Sequence, residues 1–128
     1  MTTQTGAIDV SGPAHPGTIG LLRAVAATLA ARLGMDVAEI EELRIAVDEA
    51  SSLLLTAGPA EHLAMSIVPS DGGLAIRVRT DATIEALPID EATSWPWRVI
   101  RQLTANARAD VDGDGATVSF VVGKETPR

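Results

Sequence analysis

The sequence predicts an α+β fold in which helices cover one face of a mostly antiparallel sheet. Two long segments carry apolar residues at alternating steps of three and four, the spacing of amphipathic helices. Elsewhere, short runs in which apolar and polar residues alternate are joined by turn residues, which indicates β-hairpins. The predicted order is strand, helix, helix, strand, strand, loop, helix, strand, strand. This order places the helices together on one side of the sheet.

Length and composition predict a single domain. With 128 residues and 46% apolar content, the chain can bury a core. We expect residues 7–123 to form this domain, residues 1–6 to be disordered and residues 124–128 to be a tail. The absence of cysteine excludes disulfides and thiolate metal sites. His15 and His62 are the only histidines and lie far apart in the sequence, so we expect no metal site. We expect His15 to be a surface cap residue and His62 to be a surface residue of a strand.

The net charge of −7 argues against direct nucleic-acid binding, which needs clustered Lys and Arg. It suits a basic protein partner instead. Residues 36–49 contain six acids and one basic residue, Arg44, which indicates either a solvated helix face or a docking surface. The N-terminus has neither a basic flank nor a long apolar run. We therefore expect no signal peptide, no membrane anchor and a cytoplasmic protein.

The first strand and the first helix are predicted within residues 7–34. Residues 7–10 suit a short edge strand, residues 11–17 suit a turn, and the helix that follows ends at Gly34. Arg32 suits the C-terminus of this helix. Arg23 lies beside the apolar stripe, and both a structural role and a partner contact remain open for it. The stripe consists of Ile19, Leu22, Ala26, Leu29 and Leu33.

The helix predicted at residues 36–58 is the centre of the fold. Asp36 and Glu39 suit a capping box, and Gly58 suits a helix end because glycine tolerates left-handed geometry. Glu49 lies in a row beside the apolar stripe, so its carboxylate is expected at the edge of the core. The short connection at residues 34–35 predicts that the two helices pack as an antiparallel or steeply crossed pair. The stripe consists of Ile40, Leu43, Val47, Ala50 and Leu54.

Two hairpins and a third helix complete the prediction. The first hairpin turns at residues 69–73, and the loop at residues 80–93 is of the kind that often forms a lid. Ser94 caps a third helix that extends through residue 106. The last hairpin joins residues 109–112 to residues 117–122. The inward residues are Leu63, Met65, Ile67, Leu74, Ile76, Val78, Val99, Ile100, Leu103, Val118, Phe120 and Val122.

Few residue patterns in the chain suggest chemistry. Residues 110–121 begin like a calcium loop, but the twelfth position, which should be Glu, is Val121, so we expect a hairpin turn. The chain contains no phosphate-binding glycine loop, and neither histidine has the setting of a hydrolase triad. The remaining constellation is Glu49, Asp81 and the turn into the third helix.

These residues, the order of elements and the segment LRIAVDEASSLLL at residues 43–55 resemble the kinase-type anti-sigma factors. These proteins are the RsbW and SpoIIAB group of the GHKL (Bergerat-fold) ATPases, and the resemblance is to its divergent actinobacterial branch. It extends from about residue 7 to residue 122. In this family the central helix carries a Glu that activates the phosphoryl acceptor and, four residues later, an Asn that coordinates Mg²⁺ on ATP. The resemblance gives Glu49 the first role.

The sequence departs from the family at three nucleotide-binding boxes. Leu53 replaces the Asn, and leucine has no oxygen for Mg²⁺. In the box whose Asp reads adenine, only Asp81 could serve, and alanine and threonine replace the glycines after it. Residues 94–97, Ser-Trp-Pro-Trp, replace the glycine-rich segment that wraps the phosphates. We therefore expect weak or absent ATP binding, no cofactor and no kinase activity.

The resemblance implies an anti-sigma factor that sequesters an alternative sigma factor and is released by a STAS-type anti-anti-sigma protein. Family members hold the sigma factor partly through an arginine of the first helix, which corresponds to Arg23. Arg44 and Asp48 are further candidate contacts, and a homodimer is implied as well. Two alternatives remain open. One is an active serine kinase with Glu49 as base, and the other is a non-catalytic interaction or sensor module that takes a small ligand under the 80–93 loop.

Overall fold

The computed structural model describes residues 7–71 and 73–123, and it confirms the predicted α+β fold. The predictions for residues 1–6 and 124–128 lie outside the described residues. Among those described, the order of strands and helices is the predicted one. The elements are β1 (Ile8–Pro13), α1 (Pro16–Arg32), α2 (Val37–Ala57), β2 (His62–Ser70), β3 (Gly73–Thr80), α3 (Trp95–Leu103), β4 (Ala105–Asp112) and β5 (Gly115–Gly123).

The five strands form one sheet in the order β1-β2-β3-β5-β4, and every neighbouring pair is antiparallel. Met65 pairs with Val78, which in turn pairs with Val118, so apolar side chains form rows across the three central strands. Because side chains alternate between the two faces of a strand, these rows make one face of the sheet apolar. The helices cover this face, and its fully buried residues include Leu63, Met65, Ile67, Leu74, Ile76, Val78, Val118, Phe120 and Val122.

Helix α2 lies at the centre of the helical layer and confirms the sequence prediction most completely. Both halves of its capping box are formed: the Glu39 amide donates to Asp36 at 2.8 Å, and the Asp36 amide donates to the Glu39 carboxylate at 3.0 Å. Its predicted stripe faces the core, because the residues from Leu43 to Leu54 in that stripe are fully buried. Helix α1 begins at its predicted cap, where His15 Nδ1 accepts the Gly17 amide at 3.0 Å.

Several predicted boundaries were wrong. Strand β1 continues to Pro13 instead of ending at residue 10, since its last residues pair with the start of β2. Proline is tolerated there because β1 is an edge strand. Pro69 pairs with Leu74 inside the first hairpin, so the turn is shorter than residues 69–73. Leu33, predicted inward, is the exposed C-cap of α1, and the buried Met35 covers the core there.

The end of α3 and the start of β4 also differ from the prediction. Helix α3 ends at Leu103, where the Thr104 hydroxyl donates to the Ile100 carbonyl at 2.6 Å. Asn106 has φ of 56°, a left-handed value that asparagine tolerates, and it lies in a bulge at the beginning of β4. The end of α2 differs too. Gly58 is extended, with φ of 176°, and a Cβ there would lie 2.5 Å from Ile84 Cγ2.

The turn between β4 and β5 generates a test of the fold. Gly115 has φ of 157°, and a Cβ added to it would overlap the Thr80 carbonyl oxygen. Because that oxygen belongs to the backbone of β3, Gly115→Ala should lower the free energy of unfolding by roughly 1–3 kcal/mol, the usual range for overpacking. The measurement is urea denaturation followed by circular dichroism. The matched control is Gly113→Ala in the same turn, where a Cβ meets no atom within 4 Å. Equal denaturation midpoints for the two variants would contradict this account.

Candidate functional site

Glu49 lies on α2 at the edge of the core, as predicted. Its side chain is partly buried and makes no hydrogen bond or ion pair with any described residue. Burial, and after it the negative charge of Asp48, raises the pKa of the Glu49 carboxyl above its ordinary value. A carboxyl group with a raised pKa and no partner is suited to accept a proton from a substrate.

Leu53, one turn after Glu49, is only 2% exposed and belongs to the core. An Asn at this position would have to bring an amide into an apolar environment or rotate toward a ligand. Leucine instead packs with the neighbouring apolar side chains. The position that carries the Mg²⁺ ligand in the resembled family is therefore part of the hydrophobic core in this protein.

Asp81 follows β3 and is hydrogen-bonded to residues at the beginning of β2. One carboxylate oxygen accepts the backbone amides of Glu61 and His62 at 2.8 and 3.0 Å, and the other lies 2.8 Å from His62 Nδ1. These bonds, the one from the imidazole first, hold the pKa of Asp81 well below its ordinary value, and the same contact raises the pKa of His62. The hydrogen-bonding capacity of Asp81 is thus largely used within the protein.

The structure does not bring Glu49 and Asp81 into one cavity. Asp81 lines an open cleft of about 400 Å³ together with Pro59, Ala60, Glu61 and Thr83, and Glu49 is not part of its lining. The register of the β2–β3 hairpin places His62 opposite Asp81 on the side of the sheet away from the helices. Glu49 belongs to the helical side. The two carboxylates that the sequence analysis grouped as one constellation therefore lie in different environments.

Glu61, His62 and Asp81 form a cluster that the sequence analysis did not predict. One ligand-type atom of each lies within 4.8 Å of the others, and all three residues are exposed. The sequence predicts His62 as an isolated strand residue, although extending the predicted hairpin by one pair places it beside Asp81. Such a set can hold a divalent cation, but exposed acidic groups are also common without one.

The N-cap and first turn of α3 are closed by side chains. Ser94 Oγ accepts the Trp97 amide at 3.3 Å, and Pro96 has no amide hydrogen to offer. Trp97 is 4% exposed and packs into the core, whereas Trp95 is 63% exposed with the Arg98 guanidinium 5.9 Å from its ring centre. A glycine-rich segment would leave space and free amides for phosphates. This segment fills the space with an indole ring and uses or removes two of the amides.

Arg23 and Asp48, two of the predicted partner contacts, form an ion pair with each other. One terminal nitrogen of Arg23 lies 2.9 and 2.8 Å from the two carboxylate oxygens, which joins α1 to α2. The side chains remain 38% and 36% exposed. This pair is the structural explanation for Arg23 that the sequence alone did not provide. Arg44, the third predicted contact, is exposed and lies 4.0 Å from Glu41.

Comparison with known proteins identifies the fold. No family model and no curated protein sequence matches the chain. A solved structure, the crystal structure of the RsbU and RsbW domains of Rv1364c from Mycobacterium tuberculosis, matches 94% of this chain with a TM-score of 0.72 and 16% identity. The match covers 33% of that chain, so the present chain spans about a third of its length. Among the described residues, we find no helix with the length and apolarity needed to cross a membrane.

The pair of His62 and Asp81 generates a prediction about pH. Its contribution to stability is lost as pH falls through the lowered pKa of Asp81 and as pH rises through the raised pKa of His62. It is therefore fully present between the ordinary values of 3.8 and 6.5. Asp81→Asn should lower the pKa of His62 toward its ordinary value, which an NMR titration of the His62 ring proton measures.

The control for this titration is Asp71→Asn, which removes a carboxylate at the opposite end of the same hairpin. This variant should leave the pKa of His62 unchanged. A pKa of His62 that is the same in the wild type and in Asp81→Asn would show that the contact does not form in solution.

Proposed function

We propose that this protein is a non-catalytic anti-sigma factor, which binds an alternative sigma factor and releases it to a STAS-type anti-anti-sigma protein. The observation that carries the proposal is the fold: 94% of the chain matches a structure that contains an RsbW domain. The resemblance of residues 43–55 to the RsbW group lies on α2, the central helix of that fold. Two partners with overlapping binding surfaces and different affinities are sufficient for such a switch.

The contacts at the three nucleotide-binding boxes support a mechanism without phosphoryl transfer. Transfer from ATP depends on metal ions and on groups that position the phosphates. Leu53 is buried in the core, the Asp81 carboxylate is hydrogen-bonded to the start of β2, and Trp97 fills the first turn of α3. Glu49 alone retains the character of a catalytic base. A base without a positioned phosphoryl donor has no reaction to promote.

The exposed side of α1 and α2 is the proposed surface for the sigma factor. Residues 36–49 carry six acids against one basic residue, so this part of α2 and its cap suits a basic surface. The Arg23 and Asp48 side chains are 38% and 36% exposed, and an ion pair that is open to solvent contributes about 1 kcal/mol or less to stability. A carboxylate of the partner could therefore replace Asp48 at little cost to the fold and receive the Arg23 guanidinium.

The raised pKa of Glu49 favours one alternative, an active serine kinase that phosphorylates its STAS antagonist. A general base with a pKa closer to neutrality is better matched to proton abstraction than an ordinary glutamate. The two functions differ in their requirement for ATP.

Calorimetry with Mg-ATP separates the two functions. We expect no saturable heat up to millimolar nucleotide, since the boxes for the metal, the adenine and the phosphates are all filled or engaged. An ATP-binding kinase of the RsbW group serves as the positive control under identical conditions. Micromolar binding to the wild type would overturn the non-catalytic proposal. If a STAS protein also became phosphorylated, and did not with Glu49→Gln, the kinase alternative would be established.

The partner itself is identified by co-purification from the host, followed by mass spectrometry of the bound chains. The dissociation constant is then measured for Arg23→Ala and for Asp48→Asn. Arg23→Ala should weaken binding by roughly 1–3 kcal/mol, because a charge-assisted contact is lost. Asp48→Asn leaves the guanidinium in place and should weaken binding less. Equal losses in both variants would mean that the pair acts only by aligning α1 with α2, and recovery of no sigma factor would contradict the proposed function.

A further inference from the structure

Strand β1 is an edge of the sheet, and one side of its backbone has no partner strand. Among the described residues it pairs with β2 alone. The Ala14 amide continues this pairing, since it donates to the Glu61 carbonyl at 2.9 Å. Because hydrogen-bonded pairs alternate along antiparallel strands, the backbone groups of Asp9 and Ser11 point away from β2. The amide and the carbonyl of each of these residues are therefore available to a further strand.

The two edges of the sheet are protected to different degrees. Proteins commonly block an exposed edge with charged residues, prolines and bulges. At the other edge, β4 carries Arg108, Asp110 and Asp112 and has a bulge near its start. Strand β1 has a single acid, Asp9, and its proline is its last residue, Pro13. The middle of β1 is therefore the less protected edge.

An apolar groove runs beside this edge, between β1 and one flank of α1. Val25 lies about 200° around the helix from Arg23, which faces α2, so this flank points away from α2. A second cleft, of about 430 Å³, shares Ile8 and Leu29 with the first and continues toward the end of α1. We call the two clefts together the β1–α1 groove. The first cleft has a volume of about 230 Å³ and is lined by Ile8, Ala24, Val25, Thr28 and Leu29.

Helix α1 is apolar around most of its circumference. Its only polar side chains are two threonines and two arginines, and it contains no acid. Leu22 and Ala26 are fully buried against the core, whereas Leu21, one turn before Val25, is 50% exposed. Val25 itself is only partly buried. Since helices that are apolar on all sides are usually buried on all sides, the flank of α1 beside β1 has the composition of a covered surface.

A strand added to β1 would place half of its side chains in the β1–α1 groove. Asp9 and Ser11 line a cleft on the uncovered face of the sheet, so Ile8 and Val10 point toward the helices. Paired residues of neighbouring strands point to the same face. Residues of the added strand opposite Ile8 and Val10 therefore enter the groove. Backbone bonds would supply affinity, and the groove would select apolar side chains at every second position.

The position opposite Asp9 determines which charge fits. Asp9 makes no hydrogen bond or ion pair with the part of the chain that the structure describes. Arg77 shares its cross-strand row but lies two strands away, with Ser66 between them. A residue directly opposite Asp9 would be one strand spacing away, about 4.8 Å, so its charge would act more strongly than that of Arg77. No other acid lines the groove or the cleft beside Asp9, and a basic residue is therefore favoured there.

We propose that β1 binds an extended segment of another protein as an additional antiparallel strand. The segment carries apolar residues at every second position, which enter the β1–α1 groove, and a basic residue opposite Asp9. Antiparallel addition continues the pairing of the whole sheet and is the more stable arrangement. A second copy of the chain fits less well, because its β1 would bring no cation to Asp9 and both copies carry a net charge of −7.

The test uses the full chain and a fluorescein-labelled octapeptide, SVTVKVTS, with binding followed by fluorescence anisotropy. We expect saturable binding, and none for SVVVKTTS, which has the same composition without the alternation. Ser11→Pro should weaken binding at least about tenfold, because proline removes an outward amide and leaves the bonds between β1 and β2 in place. The matched control is Ser11→Ala, which keeps the amide and should leave affinity unchanged. Asp9→Asn should weaken binding roughly two- to fivefold, as expected for a cross-strand charge pair.

NMR of the wild-type protein locates the peptide without any variant, so the test stands even if Ser11→Pro is unstable. Amide shifts in β1, with NOEs from the peptide valines to Val25 and Leu29, support the proposal. Shifts elsewhere, equal affinity for the two peptides, or equal affinity of Ser11→Pro and Ser11→Ala would overturn it.

Two further outcomes would show that something else covers the edge. A dimer in sedimentation experiments that dissociates in Ser11→Pro would overturn the proposal in favour of a second copy. Peptide binding that requires removal of residues 1–6 would overturn it in favour of the chain's own N-terminal segment. None of these outcomes depends on whether a sigma factor binds at Arg23, on the opposite flank of α1.

Discussion

The rotation of α2 against the sheet is the constraint on which the rest of the structure depends. Its apolar stripe is fully buried from Leu43 to Leu54, and this burial allows only one orientation of the helix. The same orientation leaves Glu49 at the edge of the core and turns Leu53 into it. Fully burying a single aliphatic side chain is worth about 1.5–3 kcal/mol, so rotating Leu53 outward would be costly. Packing of the helix thus determines which of its polar positions can reach a ligand.

Local periodicity in the sequence predicts the secondary structure elements and their core faces. It does not predict contacts between residues that are distant in the sequence. Alternation of apolar residues was sufficient to identify the core faces of α2, β2, β3 and β5. The Arg23–Asp48 pair joins residues 25 positions apart, and no pattern within either helix indicates it. The end of β1 was missed for the same reason, since Pro13 is in a strand only because β2 pairs with it. The turn-forming residues at 11–17 therefore predicted the end of β1 at residue 10, before its actual end at Pro13.

The two sides of the sheet differ in shape. The helical side carries the acids of α2 and an ion pair between α1 and α2, while the uncovered face of the sheet carries both arginines and carboxylates, among them the Arg79–Asp112 pair. An antiparallel sheet tolerates one solvated face, so this asymmetry costs the fold little. The core therefore lies between a layer of helices and a solvated face of the sheet.

The buried residues at the positions that resemble nucleotide-binding boxes have a consequence for stability. A protein that binds a nucleotide in its folded state gains stability from that binding, and it loses this contribution when the nucleotide is absent. Here Leu53 and Trp97 are 2% and 4% exposed, so their side chains contribute apolar burial that needs no ligand. The His62–Asp81 contact similarly closes the start of β2 onto the end of β3 without a ligand. These contacts stabilise the fold without a nucleotide, which suits a protein whose proposed function consists of binding alone.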